Sequence, residues 1–203
     1  MNTEKPYSEA CERNREPILE VLRQVFADCK QVLEIGSGSG QHAVHFGAHL
    51  PHLQWQTSDL AGNHAGILAW LADARLPNVL PPLALDVSAT WPQQQYDAVF
   101  SANTLHIVSW AEVERMFAGI ARVLPQNGML AIYGPFNYGG CYTSDSNAHF
   151  DAWLKARDPA SGIRGFENVD ALARSYGFEL ERDFVMPANN RTLVWRRLSV
   201  GPS

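Results

Sequence analysis

Apolar and polar positions along the chain follow two rhythms. Near the N-terminus Ile18, Val21, Leu22, Val25 and Phe26 recur at the spacing of one helix face, with Asn14 standing where an N-cap would be expected. Thereafter short apolar runs alternate with helical patterns: a strand over 31–35, a helix over about 40–50, a strand over 53–58, a helix over about 63–75 and a strand over 79–85. Tyr96 to Ala102 is a near-continuous apolar strand. Val113, Met116, Phe117, Ile120 and Leu124 mark a further helix face, and the Asn127-Gly128 turn leads into a strand from Met129 to Tyr133. Strand and helix in strict alternation predict an α/β fold with a buried, mostly parallel sheet and helices on both of its faces.

The C-terminal part departs from this alternation. Phe178 to Met186 and Arg191 to Leu198 are separated only by Pro187-Ala188-Asn189-Asn190, too little chain for a crossover helix, so the two runs are expected to pair as an antiparallel hairpin. A helix over about 167–176, ended by Gly177, precedes it. Residues 137–164, rich in Gly, Asn, Ser and Tyr, read as a long irregular segment, and such segments in compact domains are commonly lids or binding loops. With no repeat or linker, the chain is expected to form one domain over 1–203, in which residues 1–30 supply a helical cover.

Composition narrows the function. The 203 residues are 46% hydrophobic, enough for a core without staples, and the net charge of −5 comes with no basic stripe suited to a nucleic-acid backbone. Cys11, Cys29 and Cys141 are odd in number, far apart and without metal-ligand spacing. They read as reduced, small buried hydrophobes, and a cytoplasmic location is expected. The N-terminal residues are too polar for a signal peptide, and no apolar run reaches membrane-spanning length. The expected partner is a small molecule, with no nucleic acid, membrane or metal.

The chemistry concentrates where the first strand runs into glycines, Val32-Leu33-Glu34-Ile35-Gly36-Ser37-Gly38-Ser39-Gly40. Bare backbone at the carboxyl end of a first parallel strand lets a ligand approach, and the helix that follows offers its N-terminal N–H groups to an anion. A dinucleotide fingerprint needs its third glycine at the position of Gln41, one residue later than Gly40. Glu34 also disfavours a pyrophosphate, whereas it suits a ligand that carries an ammonium group.

The order of Glu34, Ile35, Gly36, Ser37, Gly38, Ser39 and Gly40 resembles motif I of the class I S-adenosylmethionine-dependent methyltransferases. That resemblance implies a Rossmann-like, seven-stranded sheet of order 3-2-1-4-5-7-6 with one antiparallel strand. It implies S-adenosylmethionine as cofactor, with Glu34, Gly36, Ser37 and Gly38 near the methionine moiety, Asp59 and Leu60 at the ribose, Asp86 and Val87 at the adenine, and Asn103 and His106 beneath the methionine. Asn14 and Arg15 would cover its methyl end. For Asp59 a solvated loop position, and for Asp86 a turn or N-cap role, stand as alternatives. The segments from Ser8 to Ile18, from Gly134 to Asn137 and from Thr143 to Asn147 are further similar to an uncharacterised methyltransferase-like family of unknown substrate.

Methyl transfer demands alignment more than acid or base catalysis. Candidate bases by residue type are His106, Tyr133 and Asp151, with Asp145 and His149 behind them. His106 has the alternative of shaping its loop, and His42 and His45 read as structural or exposed. Tyr133, Asn137, Ser144, Asn147, Phe150 and Arg164 are the expected acceptor contacts, within a lid over 137–164. The segment Ser101-Ala102-Asn103-Thr104-Leu105 lacks the Pro-Pro-aromatic motif of base-amine methylation, and Tyr133 to Asn137 supplies no carboxylate cluster for a metal. A small-molecule acceptor is the leading expectation. A cofactor-binding module without turnover and a nucleotide-dependent oxidoreductase remain as alternatives.

Overall fold

The computed structural model describes residues 5–199; the outermost residues of the expected cover and of the expected domain, 1–4 and 200–203, lie outside the described residues. In chain order the elements are α1 (Glu9–Val25), β1 (Gln31–Ile35), α2 (Gln41–His49), β2 (Gln54–Asp59), α3 (His64–Ala74), β3 (Val79–Ala84), β4 (Ala98–Ala102), α4 (Trp110–Val123) and β5 (Met129–Gly134). The two-residue strands β6 (Phe136–Asn137) and β7 (Arg164–Gly165) flank α5 (Asp145–Arg157), and α6 (Phe166–Ser175), β8 (Phe178–Met186) and β9 (Asn190–Arg197) complete the order.

Seven strands form one sheet in the order β3-β2-β1-β4-β5-β9-β8. All its neighbours pair in parallel except β9, which runs antiparallel to both β5 and β8. Numbered within the sheet, this is the expected 3-2-1-4-5-7-6. Alternate side chains of each strand feed opposite layers, as a period of two requires. Leu33, Val99, Leu130 and Trp195 pack under α4 and α6, while Val32, Phe100, Ala131 and Val194 pack under α1 and α2. Pro81 and Pro82 are tolerated in β3 because it is an edge strand.

Two elements correct the sequence reading. Helix α1 is capped by Ser8, whose side chain accepts from Cys11 N, and not by Asn14, which lies buried inside the helix with its Oδ1 2.7 Å from His42 Nε2. The apolar stripe begins only at Ile18 because the first two turns face a cleft instead of the core. Residues 137–164 are likewise not irregular. Helix α5 occupies their middle, capped by Ser144, whose side chain accepts from Asn147 N at 3.1 Å. Its buried positions are Asn147, Asp151 and Leu154, a helical spacing in which two of three residues are polar, so the apolar period that announces a helix is absent.

The cysteines also divide. Cys29 is buried as expected, whereas Cys141 is exposed and Cys11 lines the cleft.

Candidate functional site

The carboxyl ends of β1, β2, β4 and β5 open onto a cleft of about 1350 Å³. Its floor at one end is the glycine loop. After Ile35 the chain turns at Gly36 (φ 72°), where an added Cβ would stand 2.6 Å from Thr104 Oγ1, so only glycine lets the β1 and β4 loops meet. Gly36 N and Ser37 N both donate to Ser58 O, at 3.1 and 3.0 Å, and Ser58 Oγ donates back to Glu34 O at 2.6 Å. The loop is thereby zipped to β2. At Gly38 (φ 58°) no atom lies within 4 Å of where a Cβ would be, and the residue borders the cleft.

Asp59 ends β2 beside this loop. Its carboxylate accepts from Gly38 N, Leu60 N and Asn63 Nδ2, each at 2.7 Å, and it also lines the cleft. Asp86 lines the cleft together with Val87, and its Oδ1 accepts from Ser88 N at 2.8 Å, so the turn role weighed from the sequence is present as well.

Glu34 does not border the cleft. It is 2% exposed beneath the loop, and its Oε2 accepts from Ser37 Oγ at 2.8 Å and from Trp55 Nε1 at 3.1 Å. Burial pushes its carboxyl up to about 7, against the pull of those two donors. The carboxylate is near enough to the cleft-lining Cys11 to help raise that thiol, after burial, which raises it most.

At the other end of the cleft lie Tyr133, Asn147, Phe150 and, on the loop after β4, His106 and Ile107. His106 is held at about 4 by burial and by the Arg164 charge, so its ring is neutral at physiological pH. Neither of its ring nitrogens has a hydrogen-bond partner among the described residues. Burial raises the Tyr133 hydroxyl, and the nearby Asn14 side chain partly offsets this.

The loop that carries His106 is shaped by its main chain. Four consecutive carbonyls are each taken by a donor from residues 161–164: Leu105 O by Arg164 Nε at 2.9 Å, His106 O by Gly162 N at 2.9 Å, Ile107 O by Ser161 Oγ at 2.5 Å, and Val108 O by Arg164 Nη2. That donor segment is in turn fixed to α5, because Asp151 Oδ1 accepts from Ile163 N at 2.6 Å. Burial alone would raise Asp151, but bonds from Lys155, Tyr142 and Ile163 N outweigh it and hold the carboxyl below its ordinary value.

Most of the residues singled out from the sequence meet in this cleft. Asn14, Gly36, Ser37, Gly38, Asp59 and Leu60 line it, as do Asp86, Val87, Asn103, His106, Tyr133, Asn147 and Phe150. Six do not. Glu34 lies beneath the loop, Arg15 pairs with Glu12 on the outer side of α1, and Ser144 caps α5. Asn137 is in β6, with its Oδ1 buried and without a partner among the described residues. Asp151 and Arg164 serve the clamp on the 105–108 loop instead of facing a ligand. Sequence reasoning missed Cys11, Ile107 and Trp153, which also line the cleft. The first turns of α1 and the whole of α5 carry no apolar period that would have announced them.

This sheet order, with its glycine loop after β1, is that of the Rossmann-like S-adenosylmethionine-dependent methyltransferases. An O-methyltransferase family protein from Burkholderia thailandensis superposes with a TM-score of 0.83 at 17% identity, over 95% of this chain and 58% of that one. The S-adenosylmethionine-dependent methyltransferase SibL superposes with 0.80 at 18% identity, over 94% and 56%. An O-methyltransferase family 2 protein from Planctomyces limnophilus, solved with apigenin, gives 0.75 at 15%, over 83% and 51%. The chain thus spans little more than half the length of the structures it matches. The chain belongs to the family described as protein of unknown function DUF938, which it matches over residues 5–197.

The described residues contain no group of three or more His, Cys, Asp or Glu arranged to hold a metal, and no helix long and apolar enough to cross a membrane.

Proposed function

We propose that the protein is an S-adenosylmethionine-dependent methyltransferase acting on a small molecule, and that the sheet with its covering helices works as one domain. The observation that carries this reading is the pairing of an open glycine loop with the Asp59 carboxylate at one end of a cleft that continues to a second, aromatic end. The residues fit the cofactor. Its amino-acid group suits the bare backbone from Gly36 to Gly38, the N-terminus of α2 and the nearby Glu34 charge. A ribose diol suits the Asp59 carboxylate, and an adenine suits Asp86 and Val87. Arg15 has no such role, and Asn14 supports Tyr133.

When bound, this cofactor supplies a methyl group carried on a sulfonium. The chain's own residues do the rest. Asn103 and Tyr133, at the ends of β4 and β5, border the cleft and orient what sits there. His106, neutral and with no hydrogen-bond partner on its ring among the described residues, is the group placed to take a proton from an acceptor hydroxyl on its unprotonated nitrogen, in preference to Asp151, which is committed to Lys155, Tyr142 and Ile163.

Calorimetry tests the reading. Titration with S-adenosylmethionine and with S-adenosylhomocysteine should give saturable heats, while NAD and ATP should bind more weakly by tenfold or more. The absence of heat and of thermal shift with both sulfur compounds would overturn the proposal, and tighter binding of NAD would support the oxidoreductase alternative.

A further inference from the structure

The cleft is larger than one ligand requires: about 1350 Å³, against roughly 300–1,000 Å³ for a pocket that holds one drug-sized molecule. Its end away from the glycine loop has a distinct character. His106 meets Phe150 edge to face at 5.3 Å between centroids, and Phe150 lies parallel to Trp153 at 5.8 Å and 17°. Trp153 is 50% exposed, with the Arg157 guanidinium 4.6 Å from its ring centroid. Ile107, on the loop after β4, is 51% exposed. Both border the same cleft, and neither contributes to the core of the fold.

The polar groups among these walls include acceptors in want of donors. Both Asn147 Nδ2 hydrogens are spent, on Thr143 Oγ1 at 2.9 Å and Asn189 O at 3.1 Å, while its Oδ1 accepts nothing from the described residues. His106 presents a neutral ring, one nitrogen an acceptor and the other an N–H donor, with no hydrogen-bond partner among the described residues. Charge is one-sided as well. The carboxylates that line the cleft are Asp59 and Asp86 at the glycine-loop end and Glu112, which is engaged in the capping box with Ser109. The charge seen against these rings is cationic, the Arg157 guanidinium over the outer ring.

We propose that Phe150, Trp153, Ile107, Asn147 and His106 form a subsite for a planar aromatic hydroxy compound without a cationic substituent. Its ring lies against Phe150 and Trp153, and its hydroxyl donates to His106 or Asn147. The assignment deepens the methyltransferase reading and rests on it for the view that this molecule is the acceptor; binding itself does not depend on that reading.

The test is equilibrium binding to the full chain, with and without S-adenosylhomocysteine. The probes are β-naphthol, its saturated analogue decahydronaphthol and the cationic naphthylmethylamine. β-Naphthol should bind saturably and at least tenfold more tightly than either of the others. Trp153→Ala, a change at a half-exposed position, should weaken it at least tenfold while leaving the thermal midpoint and the affinity for S-adenosylhomocysteine unaltered. Equal binding of the saturated analogue, preference for the amine, unchanged affinity in Trp153→Ala, or no binding of β-naphthol under either condition would overturn the subsite. Aromatic binding without any binding of S-adenosylhomocysteine would leave the subsite standing and sink the methyltransferase reading. The converse pattern would do the opposite.

Discussion

Replacing Glu34 by Gln separates two jobs of one carboxyl. In the folded chain burial raises it from 4.5 to about 7, so the fold favours its protonated form. The contribution is fully present below about pH 4.5 and is lost as pH rises through about 7, because over that interval the unfolded chain binds fewer protons than the native one. At roughly 1.4 kcal/mol per pH unit, the loss is about 3 kcal/mol. Glutamine keeps the shape and an oxygen to accept from Ser37 Oγ and Trp55 Nε1, but it cannot ionise. The stability of Glu34→Gln minus that of the wild type should therefore grow by about 3 kcal/mol between pH 4.5 and pH 8, read by urea unfolding at a series of pH values. Under the proposed function the carboxylate's other job is attraction, from beneath the loop, of the cofactor's ammonium. Wild-type binding near pH 7 should release about half a proton, seen as a dependence of calorimetric heat on the ionisation enthalpy of the buffer, and the variant should release none and bind more weakly. A stability difference that stays flat with pH refutes the burial argument. Buffer-independent heats refute the attraction between Glu34 and the ammonium.

Arg164→Ala removes donors to Leu105 O, Val108 O and Ala160 O, and should destabilise the chain by roughly 2–4 kcal/mol in chemical unfolding. It should also raise the His106 titration midpoint, since the Arg164 charge lowers it; an unmoved imidazole resonance would show that the guanidinium does not act on the ring. Two glycine substitutions should differ in kind. Gly36→Ala meets Thr104 Oγ1 as well as a positive φ and should lower the thermal midpoint. Gly38→Ala meets only the φ cost of about 1 kcal/mol, so its main effect should be on cofactor affinity, and a folded Gly38→Ala chain with wild-type affinity would separate that loop from the ligand.

The sheet was legible because β1, β4 and β5 are apolar runs, although the buried β2 is mostly polar, and because four residues between Met186 and Arg191 leave room only for a hairpin. The glycine-loop end of the site was legible for a related reason: residues at the ends of successive strands are brought together by topology alone. The acceptor end was not. Helix α5 buries Asn147 and Asp151 where a periodic reading looks for apolar side chains, and α1 begins with turns that face the cleft. The polar residues expected to touch a ligand there, Ser144, Asp151 and Arg164, satisfy the backbone instead, as polar groups removed from water must. Which polar residues are so engaged follows from chain segments far apart in sequence, Arg164 and Leu105 among them, and no local pattern encodes such a pairing.

The grip of residues 161–164 on the 105–108 loop falls on main-chain oxygens, and every residue type has one of those. The side chains at positions 106 and 107 are therefore decoupled from the forces that shape the loop. Ile107, half exposed, can be exchanged at little structural cost, whereas His106 is buried against Phe150 and can be exchanged only for a side chain that fills the same space. The burden of constancy falls on the donors. Gly162 cannot accept a Cβ, which would stand 2.9 Å from Asp151 Oδ1, and only an arginine at 164 offers a fork that reaches two carbonyls of the loop at once. Under the proposed function, a designer seeking a new acceptor would vary 106, 107, 150 and 153 and leave 151, 162 and 164 alone.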